Sequence, residues 1–132
     1  MKQNDQLTER IIGCCFTVHK ELGPGFPEKV YQSALEKALE IARISHTSGP
    51  SFEVVFRGTV VGSFRVDVLA EKKVVVEIKA VTGLLPKVFE AQVIAYLKAT
   101  ELPVGLLVNF GNQSCQVRRL VLSSPKSAVQ SP

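Results

Sequence analysis

The sequence lacks the features that mark membrane and secreted proteins. It contains no run of about eighteen apolar residues, the length that a membrane-spanning helix needs. Its first ten residues, MKQNDQLTER, are polar and offer no apolar core for a signal peptide. These absences predict a cytoplasmic protein that does not interact with a membrane.

The patterns of zinc sites and phosphate-binding loops are also missing. The three cysteines, Cys14, Cys15 and Cys115, form no CxxC and no paired Cys/His spacing, so no zinc site is expected. Cys14 and Cys15 lie in an apolar helical stretch, where free cysteine packs as a small hydrophobic residue. Gly23-Pro24-Gly25 is not followed by Lys-Ser/Thr, and we interpret it as a turn.

The composition is that of one globular domain. The 132 residues are 45% hydrophobic and 21% charged, which is enough for one ordinary core. We expect a single domain over residues 1–122, followed by a disordered Ser/Pro-rich tail over residues 123–132. The net charge of +4 favours a polyanionic partner such as nucleic acid, although it is weak evidence by itself.

Hydrophobic periodicity predicts the order helix, helix, three strands, helix, two strands. The first helix is predicted over about residues 7–22, and the second begins near Pro27. A loop over His46–Ser51 separates them from strands at Phe52–Arg57, Val60–Leu69 and Val74–Val81, a helix at Lys87–Thr100, and strands at Pro103–Phe110 and Cys115–Leu122. Because Val74–Val81 is apolar on both faces, it is predicted to be a central strand. The fold class is therefore α/β, with a mixed central sheet flanked by helices.

Charged residues interrupt two of these apolar strands. Glu77 and Lys79 lie in the run VVVEIKAV, and Asp67 lies in FRVDVL. If residues 71–73 form a three-residue hairpin loop, Ala70 pairs with Val74 and Asp67 lies opposite Glu77, with Cβ atoms about 5 Å apart. Two carboxylates so close would repel each other unless a cation such as Mg²⁺ or Mn²⁺ lay between them. The residues alone leave open a structural ion pair with Lys79 or Arg65.

The spacing of these residues resembles a known superfamily. An Asp followed after ten residues by Glu-x-Lys, here Asp67 and Glu77-Ile78-Lys79, resembles the PD-(D/E)xK nucleases. The segment Gly25-Phe26-Pro27-Glu28-Lys29-Val30-Tyr31 matches the motif that names the small GxxExxY proteins. The words VHKELGPGF, VEIKAV, EAQVIAYLKAT and VGLLVNFG also resemble that family, so the similarity extends over roughly residues 11–120.

The resemblance implies a restriction-endonuclease-like three-layer core and a metal-dependent nuclease that acts on DNA or RNA. It assigns Asp67, Glu77 and the backbone carbonyl of Ile78 as ligands of Mg²⁺ or Mn²⁺, and Lys79 as the group that orients the attacking water. It adds Glu28 on a helix and Gln92 on the next helix as further site residues. Phosphodiester hydrolysis by metal-activated water agrees with these residue types.

Alternatives remain for the neighbouring residues and for the function. Tyr31 and Tyr96 could contact the site, but a tyrosine packed in the core with a bonded hydroxyl is the favoured interpretation. His19, beside a helix end, is expected to be a structural hydrogen-bonding residue. The rival functions are a catalytically silent nucleic-acid-binding module and a protein-interaction module on the same scaffold. If the chain acts alone, its cleavage is expected to be weakly sequence-specific; otherwise a homodimer or a targeting protein is expected to help it grip nucleic acid.

Overall fold

The computed structural model describes residues 2–122, with side chains from Asp5 onward. Three helices are present in this part of the chain: α1 (Lys2–Leu22), α2 (Glu28–Ile41) and α3 (Lys87–Thr100). The seven strands are β1 (His46–Ser48), β2 (Ser51–Phe56), β3 (Thr59–Arg65), β4 (Val68–Ala70), β5 (Val74–Lys79), β6 (Val104–Asn109) and β7 (Gln116–Val121). The tail predicted over residues 123–132 lies outside the described residues.

Five strands form a mixed sheet in the order β1-β4-β5-β6-β7. The central pair β5–β6 is parallel, and the other pairs are antiparallel. Helices α1 and α2 pack on one face through a core that includes Ile11, Leu35 and Val76. Helix α3 packs on the other face through a core that includes Val75, Val93 and Leu97. The predicted α/β fold, a mixed sheet flanked by helices, is confirmed.

Strands β5 and β6 are interior strands, as their apolar sequences predict. Every residue of β6 is buried, and in β5 all except Lys79 are buried. Successive side chains alternate between the two faces, so Val76 and Ile78 meet α1 and α2, while Val75 meets α3. Glu77 and Lys79 follow Val75 at two-residue intervals and therefore lie on the α3 face.

The strand predictions fail around the sequence that precedes Asp67. The predicted loop over His46–Ser51 contains β1, which pairs with β4. The single strand predicted over Val60–Leu69 is two strands in two different sheets, because the chain bends at Val66 and Asp67. Local β propensity is similar before and after this bend, so only the tertiary pairing reveals it.

Strands β2 and β3 form a separate two-stranded sheet, which we call the apolar ribbon (residues 51–65). Phe52 and Phe64 at its base stack on each other with ring centroids 5.7 Å apart. Towards the turn at Arg57 and Gly58, large apolar side chains are exposed on the ribbon: Val54, Val55, Phe56, Val60 and Val61. The ribbon therefore has an anchored base and a tip whose apolar side chains are exposed among the residues that the structure describes.

The hairpin between β4 and β5 has the predicted register. Ala70 pairs with Val74, Leu69 with Val75 and Val68 with Val76. The three-residue connection places Glu71 and Lys72 at φ 51° and 57°, in the left-handed region that tight turns use. The ladder ends at the pair Val68 and Val76. Asp67 precedes Val68 and Glu77 follows Val76, so the two carboxylates lie at the same end of the hairpin.

The fold also shows where the cysteines lie and how long and apolar the helices are. Cys14 and Cys15 are buried in the core with free thiols, and burial raises the pKa of Cys115, the third cysteine, to about 11. None of the helices in residues 2–122 has the combination of length and apolar composition that crossing a membrane requires.

Candidate active site

Asp67 lies in the bend between β3 and β4, and its backbone is held on several sides. Its N–H donates to Oε2 of Glu77 at 2.9 Å. Its carbonyl oxygen accepts from the N–H of Gly49 at 2.9 Å and from Nε2 of Gln32 at 2.9 Å. Because these partners come from β5, from the turn after β1 and from α2, the position of Asp67 is fixed by tertiary structure.

The carboxylates of Asp67 and Glu77 are interlocked through backbone N–H groups. Oδ2 of Asp67 accepts from the N–H of Ile78 at 2.8 Å, while Oε2 of Glu77 accepts from the N–H of Asp67. The second oxygen of each carboxylate accepts no hydrogen bond from a described residue. Neither of these oxygens is completely buried. Each carboxylate is therefore held by one oxygen, while the other is unbonded and not completely shielded from solvent.

The backbone of Ile78 faces the same edge of β5. In a strand the N–H and C=O of one residue point to the same side, and the N–H of Ile78 points to Asp67. The β4 ladder has ended at Val68, and Val66, two residues earlier, donates instead to the carbonyl of Pro50 at 3.2 Å. The carbonyl of Ile78 therefore lies beside the two carboxylates with no strand partner on that edge.

Burial makes both carboxyl groups hard to ionise, and the charge of Asp67 adds to this effect at Glu77. Glu77 is 5% exposed, and burial, followed by the negative charge of Asp67, raises the pKa of Glu77 to about 7. Burial also raises the pKa of Asp67, against the opposing effects of the Ile78 N–H and the Lys79 charge. A buried carboxyl pair of this kind gains free energy from a proton or a cation.

Lys79 is close to the pair but is not locked to it. The Nζ atom lies over the ring of Phe89, 4.2 Å from its centroid. The ion pairs formed within residues 5–122 do not include Asp67, Glu77 or Lys79. The structural ion pair that the sequence left open is therefore not formed, and the ammonium group stays available beside the carboxylates.

One face of α3 closes the site. Phe89, Gln92 and Tyr96 are spaced three and four residues apart and so lie along one side of the helix. Phe89 contacts Lys79, and Tyr96 stacks on Phe64 with centroids 4.2 Å apart. Burial raises the pKa of Tyr96, and the charges of Glu77 and Asp67 add to this effect. Gln92 lies between these residues, and its buried Oε1 has no hydrogen-bond partner among the described residues.

The donor set fits a magnesium-like ion better than a metal held by protein alone. No group of three His, Cys, Asp or Glu side chains in the described part of the chain is arranged to hold a metal. Mg²⁺ commonly uses only one or two carboxylates and keeps several waters. The unbonded oxygens of Asp67 and Glu77, with the Ile78 carbonyl, are donors of the type that such an ion uses.

Comparison with known proteins identifies the scaffold. The family model of the PD-(D/E)XK nuclease superfamily matches residues 5–120. The chain belongs to this superfamily. A solved structure titled "Crystal structure of SSO0001" aligns with 76% of the chain at 19% identity and a TM-score of 0.59, which supports the fold alone. The aligned region spans 52% of that structure's chain, and no curated protein matches.

As in the PD-(D/E)XK superfamily motif, Asp67, Glu77 and Lys79 come together at one end of the central sheet. The structure does not bring Glu28 into the same cluster. Glu28 is exposed at the start of α2, and its charge is the smallest of the contributions that raise the pKa of Glu77, far behind burial and Asp67 in order. Glu28 therefore lies at the rim of the site. Membership of the narrower GxxExxY family stays a prediction.

The GxxExxY segment has a structural role within this PD-(D/E)XK fold. Gly25 adopts φ 114°, a conformation that L-residues rarely adopt. The fully buried Tyr31 donates its hydroxyl to the carbonyl of Gly23 and accepts from the N–H of Phe26 at 3.2 Å. These bonds fix the turn that leads into α2 and thereby the position of Glu28. The core interpretation of Tyr31 is confirmed.

Sequence reasoning missed two residues that lie beside this candidate site. Phe89 was not singled out, because an apolar residue on a helix gives no sign that it faces a lysine. Asn109 was also missed, although it is a polar residue at the end of the fully buried run VGLLVN. His19 was interpreted correctly, since its Nε2 lies 2.8 Å from the carbonyl oxygen of Asn112.

Proposed function

We propose that the chain is a metal-dependent nuclease that hydrolyses phosphodiester bonds of DNA or RNA. The interlocked carboxylates of Asp67 and Glu77 are the observation that carries this proposal. Burial opposes the ionisation of both, and the charge of Asp67 adds to this at Glu77. Within residues 5–122 no lysine or arginine forms an ion pair with either. A structural role alone gives no reason to keep two adjacent carboxylates in this state.

Asp67, Glu77 and the carbonyl of Ile78 are the proposed ligands of Mg²⁺ or Mn²⁺. When bound, the ion supplies an activated water and neutralises charge on the phosphate. The backbone N–H groups of Asp67 and Ile78 each hold one oxygen of one carboxylate and leave its other oxygen unbonded. Because the carboxylates are held before the ion arrives, little reorganisation accompanies binding.

Lys79 is proposed to orient the attacking water and to stabilise negative charge that develops on the phosphate. Its ammonium group lies on Phe89 rather than in an ion pair, so it can move onto the substrate without breaking a salt bridge. The unpaired Oε1 of Gln92 accepts a hydrogen bond from water or substrate in this proposal. Glu28 assists from the rim.

Cleavage of labelled plasmid, single-stranded DNA and RNA in Mg²⁺ or Mn²⁺ tests the proposal. Cutting should require the metal and fall at least about 100-fold in Lys79→Met, since loss of one group that stabilises transition-state charge has effects of this size. Lys73→Met, which removes an exposed lysine of the β4–β5 turn, is the matched control and should cut like the wild type. Thermal unfolding establishes that both variants are folded.

No metal-dependent cutting of any substrate by the wild type would contradict the proposal. Salt-dependent binding of the same nucleic acids without cutting would then favour the silent binding module. If the wild type and Lys79→Met cut at equal rates, Lys79 takes no part in the mechanism.

Metal binding can be measured without any nucleic acid. At a metal concentration 100 times the dissociation constant, the wild type should gain about 2.7 kcal/mol of stability. Glu77→Gln should gain much less, because it removes a proposed ligand charge. An equal gain for the two proteins would place the ion elsewhere.

The cytoplasmic location, and a homodimer or targeting protein as partner, stay predictions. The mass of the protein in solution, measured with and without the nucleic acid that it cuts, tests the homodimer. A monomer that cuts at full rate would contradict the need for a second copy.

A further inference from the structure

The backbone that follows Lys79 is held by a side chain of the neighbouring strand. Asn109, the fully buried last residue of β6, accepts from the N–H of Val81 through Oδ1 at 2.9 Å. Its Nδ2 donates to the carbonyl of the same residue at 3.0 Å. One side-chain amide thus satisfies both polar groups of Val81, as a peptide group in a sheet would.

A second asparagine, Asn112, repeats this arrangement at Gly83, two residues after Val81. Asn112 accepts from the N–H of Gly83 at 2.8 Å and donates to its carbonyl at 2.9 Å. Oε1 of Gln116 accepts from Nδ2 of Asn109 and from Nδ2 of Asn112, both at 3.0 Å. The three amides form one connected network, which we call the amide clamp (Asn109, Asn112 and Gln116).

The clamp continues the β5–β6 ladder beyond the end of β5. The last regular bond joins the N–H of Phe110 to the carbonyl of Lys79 at 2.9 Å. The clamp then engages Val81 and Gly83, so every second residue is held, as in a strand pair. A Cβ added to Gly111 would lie 2.3 Å from the carbonyl oxygen of Val81, so the two backbones are in direct contact.

The clamped segment links Lys79 to the helix that supports it. Lys79 precedes the segment, and Phe89, whose ring lies under the Lys79 ammonium group, follows it near the start of α3. The side chain of lysine is flexible, so its placement depends on the surfaces around it. A catalytic group displaced by about 1 Å can lose on the order of 100-fold in rate.

We infer that the amide clamp is a positioning device, which holds Lys79 and Phe89 in the relative placement that catalysis requires. The inference rests on the proposed nuclease function. Asn109, Asn112 and Gln116 act through the backbone of Val81 and Gly83 and touch no reacting atom. The clamp therefore contributes to kcat, because Lys79 acts in the transition state, and contributes little to KM.

Asn112→Ala tests the inference, with the exposed neighbour Gln113→Ala as matched control. On whichever of plasmid, single-stranded DNA or RNA the wild type cuts, Asn112→Ala should lower kcat by about 10- to 100-fold and leave KM within about twofold. Hydrogen exchange of the Gly83 N–H should accelerate, while the rest of the sheet stays protected. Gln113→Ala should match the wild type in all three measurements.

A pair of variants at Gln116 separates positioning from general loss of stability. Gln116→Glu keeps an oxygen that accepts from both asparagines, whereas Gln116→Leu removes it. Glutamate should keep more of the wild-type kcat than leucine, and the two should have similar KM values. Equal kcat values for this pair would contradict the clamp's role.

The outcomes for the clamp and for the proposed function are distinguishable. Absence of metal-dependent cutting by the wild type overturns the nuclease proposal and this inference with it. Wild-type kcat in Asn112→Ala, or a raised KM with unchanged kcat, overturns the clamp alone and leaves the nuclease intact.

Discussion

Two neighbouring regions of the molecule depart from the usual distribution of polar and apolar residues in opposite ways. At the end of β5 and β6, the polar groups of Glu77 and Asn109 are buried and hydrogen bonded. In the apolar ribbon (residues 51–65), Val55 and Phe56 are 59% and 62% exposed. The two regions are joined by the bend that carries Asp67.

The two regions differ in how strongly their surroundings restrict the residues that each position can hold. At the β5–β6 end, the buried carboxylates and amides must be paired, because an unpaired buried polar group carries a large penalty. The exposed ribbon tip has no comparable requirement, since an exposed apolar side chain leaves no polar group without a partner. Substitutions should therefore have large effects at the β5–β6 end and small effects at the ribbon tip.

The strongest contrast is expected for two glutamates in metal-free protein at different pH. The pKa of Glu77 is raised to about 7, first by burial and then by Asp67, so the folded state holds a proton that the unfolded state loses near pH 4.5. Stability is therefore lost as pH rises between these values, by about 3 kcal/mol from Glu77 alone. Urea unfolding from pH 4.5 to 8, with a chelator present, measures it.

Glu77→Gln should remove most of that loss and be more stable than the wild type at pH 8. Glu53→Gln, in the exposed ribbon, should leave the pH dependence of the wild type unchanged. A wild-type stability that does not fall between pH 4.5 and 8 would contradict the burial argument for Glu77.

Two glycines provide the second contrast. Gly111→Ala should lower the free energy of unfolding by about 2 kcal/mol, because the new Cβ meets the backbone of Val81 at 2.3–2.5 Å and the strands must shift. Gly62→Ala in the ribbon meets nothing within 4 Å and should stay within about 0.5 kcal/mol. Equal urea midpoints for the two variants would show that the clamp region relaxes easily.

The smallest effect is expected at the tip of the ribbon. Phe56→Ser should change the free energy of unfolding by less than about 0.5 kcal/mol, because Phe56 is mostly exposed and buries little apolar area. It should also raise solubility, since an apolar exposed surface promotes association. A loss of unfolding free energy well above 1 kcal/mol in urea would indicate that the tip is packed. It would also weaken the contrast between the two regions.

Much of the fold followed from the pattern of apolar residues. The three helices, the interior strands β5 and β6, and the Ala70–Val74 register agree with prediction, since each depends on local periodicity or on a short turn. The strand predicted over Val60–Leu69 was wrong, because the bend at Asp67 depends on Gly49 and Gln32, which are distant in sequence.

The candidate site was predictable only in part. Asp67, Glu77 and Lys79 were visible because charges within apolar strands need an explanation. The contact of Lys79 with Phe89 and the bonds of Asn109 to Val81 left no such sign, since both join residues at least ten positions apart in sequence.

The sequence by itself determined the identities and spacing of the charged residues, the apolar strands that carry them, and the hairpin that brings Asp67 towards Glu77. The tertiary structure alone decided that the carboxylates are interlocked through backbone N–H groups, that Lys79 forms no ion pair within the described residues, and that amides secure the chain after it. The reason is physical. Periodicity reflects burial along one element, whereas hydrogen bonds and charge effects depend on which distant elements meet.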